Sequence, residues 1–214
     1  SEVVFGIAPR INAAGRIKHA SKAVEILVEL DCVKAKEFSD AIEENNKIRK
    51  ELDKAITIEA LKMINTKKKS TVVFSKNWHK GVVGIVASRL IEHHYKPTIV
   101  LAENDGVLTG SARSVHDFDL YTAISKCAHL CEKFGGHKYA AGLSIKKENI
   151  QTFIDAFESE VSNSITSDQL IPKVEFDIKI ELNDVNEKLF RIIKQFAPFG
   201  PKNLSPVFLS SEII

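Results

Sequence analysis

Residues 132–145 read EKFGGHKYAAGLSI. Paired glycines and a histidine stand between a helical pattern upstream and an alternating strand pattern downstream. Two readings fit these residues. Gly135 and Gly136 can reverse the chain as a hairpin turn, with Ala140, Ala141 and Gly142 letting the next strand pack closely on a helix. They can equally form a cradle, where bare backbone approaches a phosphate or nucleotide and His137 donates to the phosphate or stacks on a base. Turn and cradle both stay open on these residues alone.

Working outward, residues 70 to about 165 alternate strand and helix signals. TVVFS (71–75) is a short apolar strand, GVVGIVASRLIEHH (81–94) a helix, and PTIVLAE (97–103) a second strand entered through Pro97. VLTGSARSV (107–115) predicts a third strand interrupted at Gly110. DLYTAISKCAHLCEKF (119–134) predicts a helix with Asp117 or Asp119 near its start. After a turn at Gly135–Gly136, KYAAGLSI (138–145) makes a strand and KENIQTFIDAFESEVSNSI (147–165) an amphipathic closing helix. The order β-α-β-β-α-β-α predicts an α/β domain, a mixed sheet with helices packed on it.

Residues 1–66 read as helices. Ser21 is placed to cap KAVEILVEL, whose Val24, Leu27 and Leu30 share a face. Phe38, Ala41, Asn45, Ile48, Leu52 and Ala55 then recur at spacings of three and four, with Ile42 and Ile56 widening the stripe. If residues 33–64 form one long connecting helix it spans about 48 Å at about 1.5 Å per residue, a rod fit to bridge two domains. A helix pair broken between Glu43 and Asn46 is the alternative. The lysine run KKKS (67–70) predicts a solvated linker and a domain boundary. In residues 167–214, KVEFDIKI alternates like a strand, NDVNEKLFRIIKQF carries an apolar helical face, and APFGPKNLSPVFLSSEII adds a turn and the start of another strand. Two strands and a helix cannot close a sheet, so this third part looks truncated.

Composition narrows the function classes. With 44% hydrophobic residues the chain can bury a sizeable core, whereas 30 basic against 28 acidic residues leave only +2, so any nucleic-acid role must rest on local clusters. Three cysteines, Cys32, Cys127 and Cys131, are too few for a disulfide framework and suggest a reducing, cytoplasmic compartment. No apolar run approaches the roughly 18 residues of a membrane span. The chain opens at Ser1 directly into motif-dense sequence, which suggests a piece of a longer protein.

Two local clusters suit an anion. In GSARS (110–114), Gly110 frees the backbone, Ser111 and Ser114 offer donors, and Arg113 offers a planar fork for phosphate, although a bulged strand with a surface arginine also fits. In PRINAAGR (9–16), Arg10 and Arg16 flank a short polar turn containing Asn12, and Lys18, His19 and Lys22 follow; a solvated basic turn is the plainer alternative. Metal signals are weak. Adjacent His93 and His94 point different ways at a helix end, Cys127, His129 and Cys131 lack a second ligand pair, and no carboxylate cluster spaces itself to hold divalent cations. No metal site is expected in this chain.

Taken in order, these motifs resemble the RecJ family of single-stranded-DNA exonucleases within the DHH phosphoesterase superfamily. APRINAAGR resembles the end of that family's catalytic domain. NWHKGVVGIVASRL, GSARS and FGGHKYAAGLSI resemble its DHH-associated domain, and FAPFGPKNLSPVF resembles a segment of its OB-fold domain. The resemblance implies residues 1–66 as the end of the DHH domain plus the connecting helix, 67–166 as the DHH-associated domain, and 167–214 as a partial OB fold. It implies a processive 5′-to-3′ exonuclease of DNA repair and recombination that uses Mn²⁺ or Mg²⁺ held upstream of Ser1, leaving this fragment inactive alone. Single-stranded DNA is the implied substrate, and a single-strand-binding protein or a helicase the implied protein partner. Carried over by motif, Ser111, Arg113 and Ser114 would bind phosphate, Gly135, Gly136 and an auxiliary His137 would line the cleft, and Arg10, Asn12 and Arg16 would sit at the domain seam. Two residues depart from the family pattern: Ala112 and Lys202 stand where glycines are usual. A short-oligonucleotide or cyclic-dinucleotide phosphodiesterase and a non-catalytic nucleic-acid-binding module, like the domain attached to alanyl-tRNA synthetases, are the competing readings.

Overall fold

The computed structural model describes residues 2–210, which divide into two compact units, the second beginning at Pro172. In the first unit a wide π-type turn, Glu2–Ile7, runs into α1 (Ala8–Ile17). The stretch PRINAAGR is therefore helix and not a turn. Pro9 sits in the first turn, where its missing N–H costs nothing, and Ala13 and Ala14 are fully buried. Helix α2 (Ser21–Val28) begins at Ser21 with Ala20 in the cap position, so Ser21 does not cap it, and Val24, Leu27 and Leu30 face outward while Ala23 is the buried contact.

Helix α3 (Cys32–Met63) is one unbroken helix of 32 residues, capped by Asp31, whose side chain accepts from the backbone N–H groups of Val33 and Lys34. Its Ile56 and Ala60 join the core of the mixed domain, and Ile42 packs with Ala14 and Ala23 of the first two helices. The lysine run that follows is no free linker. Half-buried Glu158 accepts from Lys69 N (2.8 Å), Ser70 N (2.9 Å) and Ser70 Oγ (2.6 Å), pinning the connection to the domain's last helix.

The strands are β1 (Thr71–Ser75), β2 (Thr98–Asn104), β3 (Val107–Arg113), β4 (Lys133–His137) and β5 (Ala140–Lys146), ordered β1-β2-β3-β5-β4. β1 and β2 are parallel and joined by α4 (Val83–His93); the other pairs are antiparallel. β3 runs straight through Gly110, which pairs with Leu101 on one side and Leu143 on the other, so the expected interruption is absent. Helix α5 (Leu120–Lys126), capped by Asp119, is shorter than its pattern suggested, because after a 3₁₀ turn the chain enters β4 and Phe134 packs onto the core.

That fifth strand changes the reading of the glycine pair. Gly135 and Gly136 lie inside β4, and the turn is made by Lys138 and Tyr139, since His137 pairs directly with Ala140. Strand alternation then sorts the sheet's two faces. Ile99, Leu101, Leu108, Ala112, Leu143 and Ile145 are buried against α5 and α6 (Ile150–Ser164). On the other face Val73, Val100 and Ala102 pack with α4 and α3.

In the second unit, β6 (Ile178–Lys179) and β7 (Phe208–Leu209) pair in parallel, and α7 (Glu187–Lys194) is capped by Asn186. KVEFDIKI thus yields two paired residues, flanked by Asp177 N–H and Ile180 N–H bonds to Val207 and Leu209 carbonyls. The final residues of the segment 197–214, from 211 on, lie outside the described residues. Lys202 has φ of 69°, a left-handed conformation that favours glycine.

Candidate nucleic-acid interface

Three rows of residues cross the sheet on the face that α5 and α6 leave free. Register places Arg113, Ala140 and His137 in one row, Ser111, Gly142 and Gly135 in the next, and Thr109, Ser144 and Lys133 in the third. Two strand spacings, about 10 Å, separate the ends of each row. The middle of this floor is glycine, alanine and hydroxyl, the flat and polar surface a sugar-phosphate backbone can approach.

Arg113 is the anchor of one edge. Its Nη1 donates to Ser111 Oγ (2.6 Å) and to the Ala112 carbonyl (2.8 Å), which orients the guanidinium and leaves Nε and Nη2 without a hydrogen-bond partner among the described residues. Burial, and next the neighbouring Arg16 cation, push its pKa below the usual arginine range. Two cations held together with no intervening carboxylate make a site that favours an anion.

Arg16 arrives from α1. Its Nη1 donates to the Gly81 carbonyl (3.3 Å), and a Cβ at Gly81 would fall 2.0 Å from the Arg16 carbonyl oxygen, so only glycine lets α1 end here. Gly84, in the first turn of α4, would place a Cβ 3.1 Å from Arg113 Nη2; its absence clears the guanidinium. The N-terminus of α4 carries no side-chain cap. Ile85 N–H and Val86 N–H donate to the Val82 carbonyl, and the N–H groups of Val83 and Gly84, without a backbone acceptor among the described residues, add the positive end of a helix dipole to the same place.

His137 closes the opposite edge. Its Nδ1 accepts from Tyr139 N–H (3.3 Å), which leaves the Nε2–H as the outward donor. His79 is pinned the same way by Gly81 N–H (3.1 Å).

The remaining expected site residues separate. Ser114 Oγ donates to the Phe118 carbonyl (2.8 Å), so its proton holds the loop closed and is not offered to a ligand. Gly136 points to the α5 side of β4, the face opposite Gly135. Arg10 pairs with Glu43 and donates to the Gly6 carbonyl (2.6 Å), lining a separate apolar groove with Ile26 and Ile42. Asn12 is exposed on α1. The Ala112 methyl is buried in the α5/α6 core, away from the floor, so it does not obstruct phosphate. Residues the motif reading passed over are Gly81, Gly84, Thr109, Lys133 and His79; the signal was present in KGVVG, a glycine-spaced strand-to-helix turn.

Among the described residues no group of three His, Cys, Asp or Glu could hold a metal ion. Cys127 and Cys131 are not in a disulfide, and burial pushes both thiols up to about 11. No helix is long and apolar enough to cross a membrane among the described residues.

Comparison with known proteins follows this geometry. Residues 65–163 match the DHHA1 domain and residues 176–214 the RecJ OB domain. The chain is 35% identical to the single-stranded-DNA-specific exonuclease RecJ of Bacillus subtilis (strain 168) over 99% of its own length and 28% of that protein's. It is 32% identical to the protein of the same name from Haemophilus influenzae, over 97% of this chain and 38% of that one. A crystal structure of RecJ in complex with Mn²⁺ from Thermus thermophilus superposes with a TM-score of 0.88 at 29% identity, covering 98% of this chain and 31% of that chain. A Mg²⁺ complex from the same organism gives 0.86 at 30% identity. The chain spans about a third of the relatives it matches. With both domains in order and the fold shared along nearly all its length, the chain belongs to the RecJ family as a part that carries the DHHA1 and RecJ OB domains.

Proposed function

We propose that this chain supplies the phosphate-positioning half of the cleft in a 5′-to-3′ single-stranded-DNA exonuclease. The observation that carries this is the Arg113–Arg16 pair set over the uncapped start of α4, beside a floor of small residues. Arg113 grips a phosphate through Nε and Nη2, the α4 N–H groups share its charge, and His137 donates Nε2–H to the backbone two strands away. Holding the strand in register is what phosphodiester hydrolysis requires of a group that does not itself activate water.

Among the described residues no group of three His, Cys, Asp or Glu fits a divalent cation. In this reading the Mn²⁺ or Mg²⁺ named for the relatives is held elsewhere in a longer polypeptide, and residues 1–66, 67–166 and 167–214 divide as catalytic-domain end with connecting helix, DHH-associated domain and partial OB fold. The 214-residue chain alone binds single strands in a salt-sensitive way without cutting them. DNA repair and recombination, a cytoplasmic setting, and a single-strand-binding protein or helicase as partner belong to the same reading.

The test is binding of a 5′-phosphorylated oligothymidylate to the chain and to Arg113→Ala. Loss of a charge-assisted contact of about 1.5 to 3 kcal/mol is expected, about 10- to 150-fold weaker binding. Unchanged affinity, or preference for an RNA hairpin over single-stranded DNA, would sink the proposal, as would Mn²⁺-dependent cleavage by the chain for its inactivity.

A further inference from the structure

A second cavity, of about 600 Å³, opens at the carboxyl ends of the parallel strands β1 and β2. It is walled by the β1–α4 loop, the β2–β3 turn and Thr109 of the floor. Crevices outside the carboxyl ends of parallel strands, beside the helix that follows, are where open α/β sheets receive ligands. Its size is that of a small-molecule site.

We propose that this cavity seats the nucleotide next to the one whose phosphate Arg113 holds, so that Lys76, His79 and Lys80 form a second station on the strand's path. The inference rests on the reading of Arg113 as a phosphate clamp. Three observations support it.

The first is charge. Lys76 and Lys80 are exposed and form no ion pair among the described residues. Of the two carboxylates on the rim, Glu103 is already bound by Lys147 Nζ (2.7 Å), and Asp105 accepts from the Asn104 amide (3.3 Å). Glu103 is thus neutralised, whereas Asp105 is bonded only to a neutral amide, so the rim sets two ammonium groups against one carboxylate and keeps a net positive charge for an incoming phosphate.

The second is continuity. Thr109 and Ser111 are alternate residues of β3 on one face, about 7 Å apart, so the cavity wall adjoins the hydroxyl that orients Arg113. His79 is bonded to Gly81, the residue that also receives Arg16.

The third is donor chemistry. His79 uses Nδ1 internally and presents Nε2–H, and Asn104 brings an amide that both donates and accepts. Such groups suit a base edge or sugar hydroxyl. Trp78 cannot serve as a stacking platform, because its ring is 5% exposed and its Nε1–H is bonded to Glu59.

The experiment measures binding of oligothymidylates of graded length to the chain, to Lys76→Gln/Lys80→Gln and to Arg113→Ala, across a salt series. Two lost phosphate contacts flatten the log–log salt slope by about 1.4, which is about tenfold weaker binding at about 0.15 M salt. The double variant should show this loss with oligonucleotides long enough to reach the cavity and none with the shortest. If Arg113→Ala weakens binding while the double variant matches the parent in slope and affinity, the second station is wrong and the clamp stands. If neither variant changes binding, both readings fall. If the double variant loses affinity for free thymidine monophosphate but not for oligonucleotides, the cavity takes a free nucleotide and the strand path is overturned. Both lysines are exposed, and unchanged circular dichroism confirms that the fold is intact.

Discussion

The two faces of the five-stranded sheet are built from the same strands and opposite chemistry. Towards α5 and α6, β3 and β5 offer Leu108, Ala112, Ala141, Leu143 and Ile145, all buried; one residue along in each case, they offer Thr109, Ser111, Gly142 and Ser144 to the other side. The apolar face removes large side chains from water and carries stability. The small-residue face is left partly bare beyond α4, and it is the face that the proposed function assigns to the DNA strand. Period-two alternation lets one strand do both.

Predictions that separate the faces should differ in what they damage. On the apolar face, Phe153→Ala removes a fully buried ring stacked on Phe157 and should cost about 3 to 5 kcal/mol in urea unfolding. A loss below about 1 kcal/mol would mean this face is not the core. Where α4 is held against α3, Asp53 is 1% exposed and accepts from Arg89 Nε (2.7 Å) and Nη2 (2.8 Å). Asp53→Ala removes both charge-assisted bonds while solvent reaches the half-exposed Arg89, and should cost about 1.5 to 3 kcal/mol, read from the same unfolding curves.

The adjacent glycines give the sharpest contrast. Gly136 has φ of 154°, and a Cβ there would lie 2.3 Å from the Ala140 carbonyl oxygen, so Gly136→Ala should destabilise by about 1 to 3 kcal/mol. Gly135 has nothing within 4 Å of a built Cβ. Gly135→Leu should leave the unfolding free energy within about 0.5 kcal/mol of the parent while weakening oligonucleotide binding, because the new side chain projects over the floor. Equal effects of both substitutions on stability would break the two-face picture.

Glu158 provides an effect that depends on pH. Burial tends to raise its pKa, but the bonds from Ser70, Lys69 and Ser162 outweigh this and hold it below the usual carboxylate range. A lowered folded pKa stabilises above the unfolded value, about 4.3, and that stability disappears as pH falls through the folded value. Glu158→Gln should therefore cost about 1 to 2 kcal/mol near pH 7, and the gap to the parent should narrow towards about pH 3. A gap that widens in acid would contradict the assigned role.

Much of the fold was legible in the sequence because it is periodic. The three-and-four spacing from Phe38 to Ala55 specifies a helical stripe whatever surrounds it, and α3 is one helix. The apolar runs of β1 and β2 likewise identify strands. What misled was local composition standing in for pairing. KFGGH has the glycines of a turn, yet Phe134 packs in the core and the backbone pairs with β5, which makes it a strand. KKKS has the charge of a linker, yet a carboxylate 88 residues away from Ser70 ties it down.

The candidate site was legible in part and for a related reason. GSARS named Ser111 and Arg113 through the chemistry of their side chains, and His137 through its glycine neighbours. Arg16 could be suspected only as one of a basic group, since neither Arg10 nor Arg16 announces that one pairs with Glu43 while the other meets Gly81, 65 residues on. Side-chain type, strand alternation and helical periodicity are properties of neighbouring residues, so the sequence by itself determined the elements, the two-faced sheet and the kinds of donor available. Which donors face one another depends on contacts between distant segments, and those are decided only when the cores under α4, α5 and α6 close and carry Arg16, Gly84 and Arg113 to a common point.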